Sequence, residues 1–382
     1  MKSTSRLTKG MFTILLGLMV VVFASDTFAQ GTWTTKAPMP TARVFLATGV
    51  INGHLYAVGG SPGLTANEVY DPVTNTWAIK ASAPTSRIEA SAAGIAGKLY
   101  VVGGCINSDC RIGTTNILEV YDEATDSWAT KAAMPTASHQ MAIGAIGGKL
   151  YVVGGDGPCP PCNTIAALQV YDPATDTWAT KAAMPAPRHV LGAGEVNGIL
   201  YAVSGALADD TFVNTVEAYD PATDSWTTVA PIPTVRTEPQ PQGINGVLYV
   251  AGSGPGGTPI ATLEAFTPVI EVAIDITPGS FPNSINPRSL GVVPVAILTT
   301  GTFDATTVDP NTVRFGRTGT EAAPVHFALQ DVDGDGDIDL ILQFNTQDTG
   351  IVCGETSASL TGQTFGGQAV EGSDSIRTVP CK

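Results

Sequence analysis

Charge is scarce in this chain and positive charge scarcest: Asp, Glu, Lys and Arg make up 14% of the 382 residues, with 19 basic residues against 34 acidic ones. A surface so short of lysine and arginine repels nucleic acid and anionic membranes. Histidine is rarer still. The four present, His54, His139, His189 and His326, form no metal-binding motif, and no hydroxyl nucleophile with a His/Asp relay or phosphate-cradling loop is legible. Hydrolase and nucleotide chemistry therefore lack support. Long runs of Ala, Leu, Glu and Lys are also few, which argues against a helical protein, and no apolar run after residue 29 is long enough to span a bilayer.

Glycine and proline are abundant, at 42 and 27 residues. That composition favours many short strands joined by tight turns, so the chain reads as all-β, and its length suits two domains. The first 29 residues stand apart. Lys2, Arg6 and Lys9 precede the apolar run "MFTILLGLMVVVFA", and small side chains at Thr27 and Ala29 suit cleavage before Gln30. Residues 1–29 are read as a secretory signal peptide. Losing them removes three basic residues and Asp26, which leaves 16 Lys and Arg against 33 Asp and Glu, a formal charge of −17.

All six cysteines follow the signal peptide and fall into local pairs: Cys105 with Cys110, Cys159 with Cys162, and Cys353 with Cys381. Export to an oxidising compartment and three disulfides fit this pattern. "CPPC" at 159–162 has redox spacing but sits in a Gly/Pro loop with no helix to depress a thiol pKa, so a loop staple is the expected role. A zinc site built from Cys105, Cys110, Cys159 and Cys162 is the rival reading.

One phrase organises most of the chain. "LEVYDEATDSWATKAAMPTA" (118–137) and "LQVYDPATDTWATKAAMPAP" (168–187) are nearly identical, and two further copies place Tyr70 and Tyr219 seven residues before Trp77 and Trp226. Successive tryptophans lie 51, 50 and 48 residues apart. Ahead of each aromatic runs an apolar strand ending in glycine, such as "HLYAVGG" or "KLYVVGG". Four short strands per repeat of this length make a propeller blade.

The paired glycines, the tyrosine and the tryptophan at these offsets resemble kelch repeats across roughly residues 31–268. The resemblance implies a β-propeller, with five blades countable. The fifth copy has Phe266 but Ala273 where tryptophan is expected, and Trp33 in "GTWTTKAPMP" is expected to supply the missing strand and close the ring.

Sixteen residues before the first paired glycine, or its counterpart, stand Arg43, Arg87, Ser138, Arg188 and Arg236. In kelch propellers this strand lines the central channel. The resemblance therefore implies a ring of guanidinium groups at one mouth, joined by Glu89, His139, His189 and Glu238, able to hold a carboxylate or sugar. The competing reading has each arginine tying its blade to nearby carbonyls or acids. Two enzymatic alternatives follow from relatives: kelch sialate mutarotases, in which Glu89 or Glu238 would act with a neighbouring arginine, and galactose-oxidase-like copper enzymes, whose ligand set is not found in these residues.

From residue 269 a second text begins, read as a small β-sandwich. Its "QDVDGDGDIDL" (330–340) places carboxylates at alternate positions with Gly334 and Gly336 between them. Leu342 stands where an EF-hand would need glutamate, and the flanks read as strands, so the loop is similar to the calcium loops of integrin-type repeats. Side-chain ligation is expected from Asp331, Asp333, Asp335 and Asp339 and carbonyl ligation from Asp337, with Ca2+ in a structural role. The sequence thus predicts a signal peptide (1–29), a kelch propeller (30–268) and a calcium-binding β-module (269–382). The expected whole is a secreted bacterial monomer, extracellular or periplasmic, that binds a glycan or protein without catalysis.

Overall fold

The computed structural model describes residues 35–62, 65–107, 110–158, 163–301 and 303–380. Pro38–Lys382 forms one compact unit that holds both β assemblies.

The repeat folds into antiparallel meanders. Blade 1 comprises β1 (Ala47–Ile51), β2 (His54–Val58), β3 (Asn67–Asp71) and β4 (Thr76–Ile79). Blade 2 follows with β5 (Ser91–Ile95), β6 (Lys98–Val102), β7 (Leu118–Asp122) and β8 (Ser127–Lys131), and blade 3 with β9 (Ala142–Ile146), β10 (Lys149–Val153), β11 (Leu168–Asp172) and β12 (Thr177–Lys181). Blade 4 has β13 (Gly192–Val196), β14 (Ile199–Val203), β15 (Val216–Asp220) and β16 (Ser225–Val229); blade 5 has β17 (Thr237–Ile244), β18 (Val247–Ser253) and β19 (Glu264–Phe266). Trp33, expected to complete blade 5, lies outside the described residues.

Each repeated residue has a mechanical task. Trp128 Nε1 donates to Ala81 O of the preceding blade at 2.7 Å, while Tyr121 stacks on Trp128 with ring centroids 5.3 Å apart. The Tyr121 hydroxyl donates to Asp126, whose carboxylate also accepts the Ala81 N–H. Trp178 and Trp226 latch blades 3 and 4 to Ala132 and Ala182 in the same way. The paired glycines turn where no side chain fits: at Gly104, with φ of 82°, a Cβ would meet Ile88 O at 2.6 Å.

Beyond β19 the chain enters two facing four-stranded sheets. One joins β20 (Ile270–Glu271), β24 (Arg314–Gly316), β27 (Ser357–Gln363) and β28 (Ala369–Ser375); the other joins β21 (Ile274–Ile276), β23 (Val292–Ile297), β25 (Pro324–Gln330) and β26 (Asp339–Asn345), while β22 (Ser284–Ile285) pairs with β29 (Arg377–Thr378). Val295, Ile297, Leu342 and Phe344 of the second sheet meet Phe315, Leu360 and Val370 of the first in one buried core. The alternation of "DLILQF", with Leu340, Leu342 and Phe344 inward, is the period-two pattern that specifies this packing. Buried Gln368 joins the two assemblies, donating to Pro268 O at 2.7 Å and accepting from Asn197 of blade 4. Among the described residues no helix is long and apolar enough to cross a membrane.

Candidate functional site

The five inner strands surround one axis. A narrow space of about 130 Å3 is walled by Ala47, Ala92, Ala142, Gly192 and Pro241. One end widens to about 460 Å3, walled by glycines and alanines together with Leu55, Ile143, Glu195 and Gln242, and the other opens into a mouth of about 140 Å3.

That mouth is ringed by the residue two places after each expected arginine: Phe45, Glu89, Gln140, Val190 and Glu238. All five adopt left-handed backbone, with φ of 57°, 54°, 55°, 46° and 47°. Their amides form a collar: Glu89 N–H donates to Phe45 O, Gln140 to Glu89 O, Val190 to Gln140 O and Glu238 to Val190 O, at 2.8–3.3 Å. A valine in this region is a clear outlier, costing about 1–3 kcal/mol, and the collar's hydrogen bonds are what hold it there. The strain turns five side chains toward the axis.

The arginines are elsewhere. Arg43, Arg87, Arg188 and Arg236 are buried within their blades, and none lines the mouth. Each joins a glutamate of the third strand: Glu68 at 2.8 Å, Glu119 at 2.7 Å, Glu217 at 2.6 Å and Glu264 at 2.7 Å. Each also donates to carbonyls at the glycine turn, as Arg188 does to Ser204 O and Thr215 O. The expected guanidinium ring is thereby corrected: burial demands an acid partner, and the guanidinium staples the blade instead of facing the channel. Blade 3 shows the same logic with the charges removed. Ser138 replaces arginine and bonds Gly154 O, and Gln169 replaces glutamate and accepts from Thr136 N. The Glu/Gln position two before each blade's aromatic tracked the Arg/Ser position in sequence, a signal that was there to be read.

Glu89 and Glu238 do sit in the mouth, as their positions suggested. Burial foremost, and the like charges of Glu238 and Asp156, hold Glu89 above its ordinary value of 4.5, against a hydrogen bond from Gln140 that lowers it. The folded state therefore binds this proton more tightly than the unfolded chain, so ionised Glu89 costs stability that returns as pH falls through its raised pKa. Glu89→Gln is expected to raise the melting temperature near neutral pH, with the gain shrinking toward zero at about pH 4. Thermal scans at the two pH values check this; a pH-independent difference would contradict it.

The two expected histidines, each one residue before a mouth residue, do not themselves line the mouth. His139 is buried, with Nδ1 3.2 Å from Thr114 Oγ1, and burial pushes its pKa down. His189 lies between Asp156, 3.7 Å from Nδ1, and Asp210, 3.5 Å from Nε2. Each histidine thus faces a hydroxyl or acid groups of its own and the neighbouring loops. Cys105 and Cys110 are joined as a disulfide and Cys353 is disulfide-bonded; Cys159, Cys162 and Cys381 lie outside the described residues.

In the module, the aspartate loop joins β25 to β26. One carboxylate oxygen each of Asp331, Asp333 and Asp335 lies within 4.8 Å of the others, a spacing that fits a hard cation. Asp337 is exposed and its N–H donates to Asp335 Oδ1. Asp339 differs from the ligand role assigned to it. It is fully buried, and its two oxygens accept from Thr299 N at 2.8 Å and Val332 N at 2.9 Å, so it braces the hairpin from inside.

Four-stranded meanders arranged about an axis, with different side chains at one mouth, define a β-propeller. The chain belongs to the kelch-repeat family: the model of the KLHDC2/KLHL20/DRC7 Kelch-repeats domain matches residues 46–252. Among solved structures it is similar to one described as "Structure of YjhT", with a TM-score of 0.51 and 21% identity over 57% of this chain and 75% of that one. No curated protein matches it.

Proposed function

We propose that this is an exported bacterial kelch propeller, acting as a monomer, that binds a protruding group of an extracellular glycan or protein at the mouth ringed by Phe45, Glu89, Gln140, Val190 and Glu238. One observation carries the reading. The blades repeat almost word for word, yet the strained position that faces the axis carries five side chains of four kinds. Strain kept where side chains vary is the signature of a recognition surface on a conserved scaffold. The mouth's 140 Å3 is below the several hundred Å3 of a site that engulfs a whole small ligand, so it suits one projecting group. Glutamate and glutamine present acceptors to hydroxyl or amine donors, and half-exposed Phe45 offers an apolar face.

Acid–base catalysis of the mutarotase kind draws no support from this geometry, because Arg188 and Arg236 are held by Glu217 and Glu264. The aspartate loop is assigned to Ca2+ that stabilises the module, with Asp331, Asp333 and Asp335 as carboxylate ligands.

A glycan and protein binding screen with the mature chain tests the reading. A ligand found this way is expected to lose about tenfold or more in affinity with Phe45→Ala or Glu89→Ala, a loss of at least 1.4 kcal/mol. Surface changes on the YDP turns of the opposite face should leave it unaltered. If both mouth variants bind normally, recognition does not occur there.

A further inference from the structure

Glu89 of the mouth also meets a donor set whose other three members, Cys105, Cys110 and His139, neither the mouth nor the aspartate loop accounts for. Oε2 of Glu89 lies 3.3 Å from Cys110 Sγ, the sulfur joined to Cys105. His139, from the next blade, is held against the same loop by Thr114. One donor atom from each of Glu89, Cys105, Cys110 and His139 lies within 4.8 Å of all the others, with Cys105 and His139 buried. Two sulfurs, an imidazole nitrogen and a carboxylate oxygen are ligands that zinc takes in four-coordinate sites, and tetrahedral bonding at about 2.0–2.3 Å sets donors roughly 3.3–3.8 Å apart. The four are gathered within 4.8 Å of one another, and Cys105 and Cys110 have C-x4-C separation, within the range of zinc ligand pairs. While the sulfurs share a bond, however, they offer no thiolate.

We propose that Cys105, Cys110, His139 and Glu89 form a redox-gated zinc site, closed as the disulfide and opened by a dithiol reductant. The dithiol passes two electrons and two protons to the Cys105–Cys110 bond and leaves as its own disulfide. The S–S bond breaks and two thiols form. Zn2+ then bonds both sulfurs and releases their two protons to solvent, while His139 and Glu89 complete the coordination. Topology favours the quartet, since its members come from three separate stretches that the blade 2–blade 3 contact already packs together. The site shares Glu89 with the mouth, and metal binding is read separately from any ligand of the mouth.

Co2+, a spectroscopic stand-in for zinc, tests this on the full mature chain. Reduced wild type is expected to show thiolate charge-transfer and tetrahedral visible bands that one equivalent of Zn2+ abolishes, and the oxidised protein to show neither. His139→Ala and, as a milder change, Glu89→Gln should each weaken binding about tenfold or more. Oxygen ligands of the aspartate loop give no thiolate band, so that site does not interfere. The proposal is overturned if reduced wild type shows no such bands, if Cys105→Ser/Cys110→Ser retains them, which would assign them to the other cysteines, or if His139→Ala binds as tightly as wild type.

Discussion

Arg188→Ala is expected to lower the unfolding free energy by about 3–5 kcal/mol, because it leaves Glu217 charged and buried without a partner. Arg188 is fully buried, bonds Glu217 at 2.6 Å and satisfies Ser204 O and Thr215 O. For a domain of this size the loss corresponds to a fall in Tm on the order of 10 °C, measurable by calorimetry or denaturant titration. Blade 3 supplies the control. With Ser138 and Gln169 it keeps the same strands without either charge, so Arg188→Ser combined with Glu217→Gln should recover more than half of the loss. If the double variant is no more stable than the single one, charge pairing is not what the arginine contributes. Arg188→Ala is also expected to leave the identity of any mouth ligand unchanged, since its side chain does not line the mouth.

Calcium at about one hundred times its dissociation constant is expected to stabilise the C-terminal module by about 2.7 kcal/mol, and chelation to remove that gain. The five aspartates should separate into two groups. Asp333→Asn and Asp335→Asn alter two of the proposed ligands in the exposed loop, so they should abolish the calcium-dependent part and leave the chelated protein as stable as before. Asp339→Ala should destabilise with and without calcium, because each of the Thr299 and Val332 amides loses a charge-assisted bond contributing about 1.5–3 kcal/mol. Thermal unfolding of each variant in calcium and in chelator reads both effects. Equal behaviour of Asp335→Asn and Asp339→Ala would undo the distinction, and a melt of the wild-type module indifferent to chelation would remove the metal.

The blades were legible because everything that makes them is local and repeated. Gly104 turns, Tyr121 and Trp128 stack, and Asp126 ties the turn within a few dozen residues, so the spacing of these types alone specifies the unit. The same holds for the sandwich, where alternation in "DLILQF" assigns a buried face. Positions could also be read: Glu89 and Glu238 reach the mouth because a repeat fixes which residue stands where along the innermost strand.

Orientation could not be read from one position alone; only the matching Glu/Gln two before each aromatic points to the arginines' partners. Whether Arg188 faces the channel or its own blade depends on Glu217, 29 residues away, and on carbonyls that the glycine turn brings to it, and a single repeated position carries no sign of which way the side chain turns. Asp339 looks like its four neighbours in sequence, but β26 begins there and draws it under Thr299. The collar at Phe45, Glu89, Gln140, Val190 and Glu238 requires the amides of blades 2 to 5 to meet the carbonyl of the blade before, and the Glu89–Cys105–Cys110–His139 group requires two blades side by side. The sequence by itself determined the unit, its number of copies and the residues at each station. Only the tertiary structure decided which of them are buried and paired and which are left to meet a ligand, because burial and partnership arise from contacts between distant segments that no local pattern encodes.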